Sequence, residues 1–223
     1  MSTTKILMLG ATGVGKSTLS NFIAGDKIFQ ESCKDSSCTK EVSIKAAKEG
    51  TKYENVIIID TPGILDPDFQ EDQENMEKIT EKLKEIKGDG IKAILLLVNV
   101  NDARINDAEK KSLCIYCKMF PIIDFFEHVA LVFTHTYESF SKKKFKKIVE
   151  EKVGDFRISL ENILSKIVTD INRCNHTNIR IPDGLQCFFT DCGEDEEDYD
   201  YKRTKSEVDR LVNWCNNQRR INF

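Results

Sequence analysis

Gly10-Ala11-Thr12-Gly13-Val14-Gly15-Lys16-Ser17 has the spacing G-x-x-x-x-G-K-S, and its residue types suit one task, holding a chain of phosphates. Gly10 and Gly15 let the backbone wrap closely, so that consecutive N–H groups through Ala11, Thr12, Gly13 and Val14 face negative oxygens, aided by the positive end of a following helix. Lys16 is placed to reach the β- and γ-phosphates, the Ser17 hydroxyl to bind Mg²⁺, and Thr18 to continue the loop into the helix. A chance glycine-rich turn is disfavoured because an apolar strand precedes the loop and a helical stretch follows it.

A second group of residues answers the first. Asp60-Thr61-Pro62-Gly63 follows the apolar run 56–59, which puts a carboxylate at the C-terminal edge of a strand, where open α/β sheets bind ligands. Asp60 is the expected Mg²⁺ carboxylate, meeting the ion directly or through a ligand of it. Gly63, lacking Cβ, can turn its N–H to a γ-phosphate and away again when that phosphate leaves. Residues 30–40 are polar and aperiodic and read as a switch loop, in which the Thr39 hydroxyl completes the Mg²⁺ shell.

The phosphate motifs serve adenine and guanine alike, so base choice falls to the loops after the last two strands, residues 134–138 and 190–193. No Asn-Lys-x-Asp motif occurs there. A carboxylate accepts from both N1–H and N2–H₂ of guanine and repels the adenine edge. Asp191, following Thr190, or Glu138 is therefore required, with His135 stacking on or bonding the base.

At this point the chain resembles the immunity-associated GTPases (GIMAP or AIG type), relatives of septins and of the chloroplast import-receptor GTPases. The resemblance covers most of the chain. It rests on the phosphate loop, on Thr39 in Ser37-Cys38-Thr39-Lys40, on Asp60 to Gly63, and on Ala93-Ile94-Leu95-Leu96-Leu97-Val98 with Arg104-Ile105-Asn106-Asp107-Ala108-Glu109. Val132-Phe133-Thr134-His135 fits the family's variant base motif. Phe189-Thr190-Asp191 departs from its common Phe-Asn-Asn.

The resemblance implies binding of Mg²⁺ with GTP or GDP, and dimerisation across the nucleotide face, with Arg104 reaching toward the partner's nucleotide. Ile64 stands where Ras-like proteins carry a water-orienting glutamine, so turnover is expected to be slow. Two readings follow: a switch GTPase that recruits a partner on a membrane or vesicle surface, and a septin-like scaffold that assembles with GTP and hydrolyses little. An ATP-using enzyme is weaker, because no second substrate site is evident.

These residues need a scaffold, and the hydrophobic pattern supplies one. Residues 5–9, 56–59, 93–98 and 129–133 are apolar runs suited to buried parallel strands, and 186–189 offers a last strand. Residues 41–47 alternate and pair through the Lys48-Glu49-Gly50 turn with 56–59, giving one antiparallel edge strand. Helical stretches over 17–24, 77–86 and 108–120 alternate with the strands, and 141–173 is an extra helical region before the last strand. Val208, Leu211, Val212 and Cys215 form a stripe after a Thr204-x-x-Glu207 capping box, and the acidic run 194–200 reads as a solvated loop before it. The expectation is a doubly wound α/β G domain spanning 1–223, helices on both faces of a mostly parallel sheet.

Composition narrows the classes. At 223 residues, with 40% hydrophobic and 31% charged residues and a net charge of -4, the chain fits one large domain and carries no electrostatic footprint for nucleic acid. The eight cysteines are scattered and expected as reduced thiols in a cytoplasmic protein, peripheral at endomembranes through partners. No signal peptide, membrane span or prenylation box is expected. Cys114 and Cys117 read as buried thiols, Cys33 and Cys38 as incidental, His128 and His176 as structural or surface residues, and Lys142-Lys143-Lys144 with Lys146-Lys147 as a solvated helix face.

Overall fold

The chain is known from a computed structural model that describes residues 3–30, 41–62, 79, 81–82, 90–102, 125–136, 153–181, 184–192 and 199–221. Its strands are β1 Thr4–Gly10, β2 Ser43–Ala46, β3 Val56–Asp60, β4 Ala93–Asn99, β5 Val129–Thr134 and β6 Gln186–Phe189. They form one sheet in the order β2-β3-β1-β4-β5-β6. Every neighbouring pair is parallel except β2 with β3, where Ser43 faces Asp60 and Ala46 faces Ile57. The chain runs from β1 to β3 on one side and to β4 on the other, so the end of β1 is a switch point of the kind at which such sheets bind ligands.

The apolar runs are continuous because both faces of the sheet are covered. Ile6 and Met8 of β1 join a core that includes Val56, Ile58, Leu95 and Val132, under α1 (Lys16–Ala24) and α3 (Tyr199–Asn217). Leu7 and Leu9 face the other way, into a core with Ile59, Ile94, Leu131 and Phe133, under α2 (Gly154–Asn175). Along α2, Phe156, Leu160, Leu164, Val168 and Ile171 recur at close to one per turn and are all buried, the spacing of a helix with a single core face.

The expected strands, the antiparallel edge and the first helix are present, and of the extra helical region expected over 141–173 the described part is helical from Gly154. The β2–β3 connection is longer than the turn anticipated at residues 48–50, because Thr51 to Val56 make further turns that deliver Tyr53 into the core. Of the helix expected over 77–86, Ile79, Glu81 and Lys82 are described and helical. The helix expected over 108–120, the region 141–152, and Cys33, Cys38, Cys114 and Cys117 lie outside the described residues. Cys174, Cys187 and Cys215 are thiols. His128 is buried with Nδ1 at 3.1 Å from Lys92 O, and His176 is the exposed, left-handed C-cap of α2, so both have structural positions.

One expectation is corrected. The last helix does not start at Thr204 but at Tyr199, so Tyr199 and Asp200 of the acidic run are already helical. Thr204 lies on the same stripe as Val208, Leu211, Val212 and Cys215, and burial of that stripe against the sheet turns its hydroxyl inward instead of toward a helix end.

Candidate functional site

The C-terminal ends of β1, β3, β5 and β6 converge on one edge of the sheet, and the residues singled out by the sequence stand there. After Gly10 the chain leaves β1 in backbone that ordinary side chains rarely adopt: φ is +147° at Gly10, +76° at Gly13 and +94° at Gly15. A Cβ at Gly10 would stand 2.7 Å from Leu97 O of β4. The glycine is thus required by the close approach of two backbones. Gly15 is the left-handed N-cap of α1, where neither a capping side chain nor a first-turn acid occupies the helix end. The loop is a cradle whose N–H-rich helix end carries no acidic side chain, an environment that suits an anion.

Lys16 is buried, and its Nζ donates to Gly10 O at 3.1 Å and Ala11 O at 2.8 Å, folding the ammonium over the loop. Ser17 Oγ donates to Asp60 Oδ2 at 2.8 Å, which joins the first turn of α1 to the end of β3. Asp60 is 1% exposed, and its other oxygen, Oδ1, is buried with no hydrogen-bond partner. Burial pushes the Asp60 carboxyl above its ordinary range, against the opposing pull of the Ser17 hydrogen bond and the Lys16 charge. An orphaned carboxylate oxygen beside a serine hydroxyl is the donor set a hard divalent cation takes. The residues present therefore fit Mg²⁺ held by Ser17 and Asp60, which would neutralise phosphate charge there. Thr61, fully buried, donates its hydroxyl to Met8 O at 2.7 Å and fixes the end of β3 against β1.

The two loops expected to read the base are linked to this cradle and to each other. Thr134 Oγ1, at the end of β5, contacts Val14 O of the phosphate loop at 2.8 Å and Val98 O of β4 at 3.3 Å. His135 follows at φ +53°, a left-handed conformation uncommon for a residue with a side chain, and is half-buried. Thr136 is buried and donates to Thr190 O at 3.0 Å, while Thr190 N donates to Phe133 O at 2.8 Å. Asp191 is half-buried, with both its backbone N and O bonded to Thr204 Oγ1.

Gly10 to Thr18, Asp60, His135, Thr190 and Asp191 thus lie along one edge. Thr39, Gly63, Arg104 and Glu138, and the lysines at 142–147, lie outside the described residues. Thr134 and Thr136 stood in the loop expected to read the base and Thr204 in an expected capping box, but nothing in those patterns marked the backbone bonds that the three make. Only the place of Thr204 on an otherwise apolar stripe hinted that it faces inward. Among the described residues no group of three or more His, Cys, Asp and Glu could hold a metal, and no helix is long and apolar enough to cross a membrane.

Comparison with known proteins gives a consistent result. The model of the AIG1 family matches residues 4–178. The immune-associated nucleotide-binding protein 13 of Arabidopsis thaliana is 24% identical over 233 aligned positions, covering 96% of this chain and 67% of that protein. Toc33 of Arabidopsis thaliana, solved in complex with Mg²⁺ and GMPPNP, superposes with a TM-score of 0.70 at 17% identity, over 99% of this chain and 87% of that one. A structure of the chloroplast translocon components atToc33 and psToc159, for whose GTPase activity dimerization is described as important, gives 0.71 at 16% identity, over 98% and 85% of the two chains.

Proposed function

The chain belongs to the AIG1 family, and we propose that it is a guanine-nucleotide-binding switch protein that binds Mg²⁺ with GTP or GDP and hydrolyses GTP slowly. One observation carries the reading: the phosphate cradle of Gly10 to Ser17 closes on Asp60 through the Ser17 hydrogen bond, leaving Asp60 Oδ1 orphaned where a divalent cation would satisfy it. The N–H-rich loop and Lys16 bind and orient the phosphates, and Ser17 and Asp60 hold the cation. His135 and Asp191, on loops fastened to each other, meet the base, Asp191 accepting from guanine. Thr39 and Gly63 complete the γ-phosphate response. The whole 1–223 chain acts as one G domain, cytoplasmic and recruited to endomembranes by partners, without nucleic acid.

Two copies pair across the nucleotide face in the triphosphate state, with Arg104 reaching the partner's nucleotide. The Toc33 and Toc159 likeness supports this pairing by fold alone. The test is calorimetry with Mg²⁺ of GDP, GMPPNP and the corresponding adenine nucleotides. Tight guanine binding that needs Mg²⁺ for the triphosphate is the expected result, and equal affinity for adenine nucleotides would overturn the guanine assignment.

A further inference from the structure

Thr204 is fully buried on the inner face of α3, and its single hydroxyl makes two bonds to one distant residue: it donates to Asp191 O at 2.7 Å and accepts from Asp191 N at 2.9 Å. A threonine inside a helix ordinarily returns its hydroxyl to the carbonyl four residues back. Here it reaches 13 residues back along the chain to a loop and closes a two-bond clasp on that loop's backbone. The β-branch of threonine stiffens χ1, so the hydroxyl is held in one direction by its own covalent geometry as well as by burial.

The preceding residue is fixed too. Thr190 N is bonded to Phe133 O and Thr190 O to Thr136 Oγ1. Four consecutive backbone polar groups, the N–H and C=O of Thr190 and then of Asp191, are therefore each held from outside the loop. Three of the four bonds go to threonine hydroxyls. With its N–H and C=O both anchored, the Asp191 backbone is fixed, and the direction in which its carboxylate leaves that backbone is set by α3.

We propose that Thr204 is a positioning residue for base recognition: from α3 it fixes the backbone of Asp191 so that the carboxylate meets the N1–H and N2–H₂ edge of guanine. The inference rests on Asp191 as the base reader. It assigns to the last helix a part in specificity, through a hydroxyl that touches no nucleotide. Valine keeps the shape of Thr204 and removes both bonds, whereas serine keeps the hydroxyl.

The experiment measures Mg²⁺-dependent affinities of GDP and ADP by calorimetry on the full chain, as wild type, Thr204→Val, Thr204→Ser and Asp191→Ala. Thr204→Val should reduce the preference for GDP over ADP by roughly tenfold, with ADP binding unchanged, because the lost interactions act only on base recognition. Thr204→Ser should keep the wild-type ratio. A merely structural role for Thr204 would weaken both nucleotides together, and an unchanged ratio in Thr204→Val overturns the proposal.

Should the valine variant fail to fold, amide hydrogen exchange on the nucleotide-free wild type and on Thr204→Ser tests the clasp on which the proposal stands. Protection of the Asp191 amide in both is expected, and exchange at the rate of an exposed amide overturns the proposal. Asp191→Ala separates this inference from the reading beneath it. If that variant keeps the guanine preference, the base-reader assignment has failed and the Thr204 inference falls with it. If Asp191→Ala loses the preference and Thr204→Val does not, only the Thr204 inference fails.

Discussion

Burial of the Asp60 carboxyl has opposite consequences for the empty and the loaded protein. Its pKa is raised in the folded state, chiefly by burial, so folded protein holds this proton at pH values where the unfolded chain has released it. Without nucleotide, its contribution to stability is present below the unfolded carboxylate pKa and is lost as pH rises through the folded value. Asp60→Asn should therefore melt at a higher temperature than wild type at neutral pH when nucleotide-free, with a flatter pH dependence, while losing the Mg²⁺-dependent gain in melting temperature with GMPPNP. A parallel loss of stability in both states would mean that the carboxylate is structural.

Lys16 poses no such conflict. Truncating it to alanine should weaken GDP binding by about 10- to 100-fold, the worth of one strong charge-assisted hydrogen bond, as read by calorimetry. At Gly10 the constraint is steric: with Leu97 O at 2.7 Å from a built Cβ and φ at +147°, Gly10→Ala should cost about 1–3 kcal/mol of folding stability, measured by denaturant titration.

Between elements, α3 is tied to the β2–β3 connection at one side of the sheet. Tyr53 donates its phenolic O–H to Asp209 Oδ1, and Lys52 Nζ lies 2.6 Å from the same oxygen. Burial alone would raise the Asp209 pKa, but the hydrogen bonds from Lys52 and Tyr53 outweigh it and hold the carboxyl below its ordinary range. The sign is opposite to that of Asp60. Asp209 stabilises above the unfolded carboxylate pKa, and this contribution is lost as pH falls through its folded value. Tyr53→Phe should cost about 1 kcal/mol near neutrality and less in acid, so the difference in urea midpoint between wild type and variant should hold down to the ordinary carboxylate pKa of about 4 and shrink below it.

The strands were legible in the sequence because both faces of the sheet are covered, which leaves runs such as 93–98 apolar throughout. The start of α3 was not, because Thr204 and Glu207 have the spacing of a capping box while the preceding turn, Tyr199 to Arg203, has no apolar stripe to announce it. The meeting of residues 10–17 with Asp60 was legible because the chemistry expected of them demands particular residues at fixed separations. Thr134, Thr136 and Thr204 act through hydroxyl–backbone bonds that bring remote parts of the chain together, and such bonds leave no period or spacing to read.

Taken as a molecule, the chain places the described part of its candidate site on one edge of the sheet, a geometry that a second copy can approach face to face. If pairing supplies Arg104 to the partner's nucleotide, GTP turnover per protomer should rise with protein concentration, and Arg104→Ala should abolish the rise while sparing the rate at high dilution. A rate per protomer that is flat with concentration would count against pairing as the source of catalysis. The opposite edge is closed by the end of the chain. Thr4 Oγ1 bonds to Asn216 Oδ1 across 212 residues, Lys92 Nζ donates to Asn216 O, and Ile91 and Ile221 exchange backbone hydrogen bonds. On the ribosome this closure has a cost in time. β1 is made well before α3, so the Ile6 and Met8 face, flanked early by α1, gains its second cover only once residues 199–217 have been made. Stalled chains ending before residue 199 should remain protease-sensitive and chaperone-bound, and resistance should arrive in one step when residues 199–221 clear the exit tunnel.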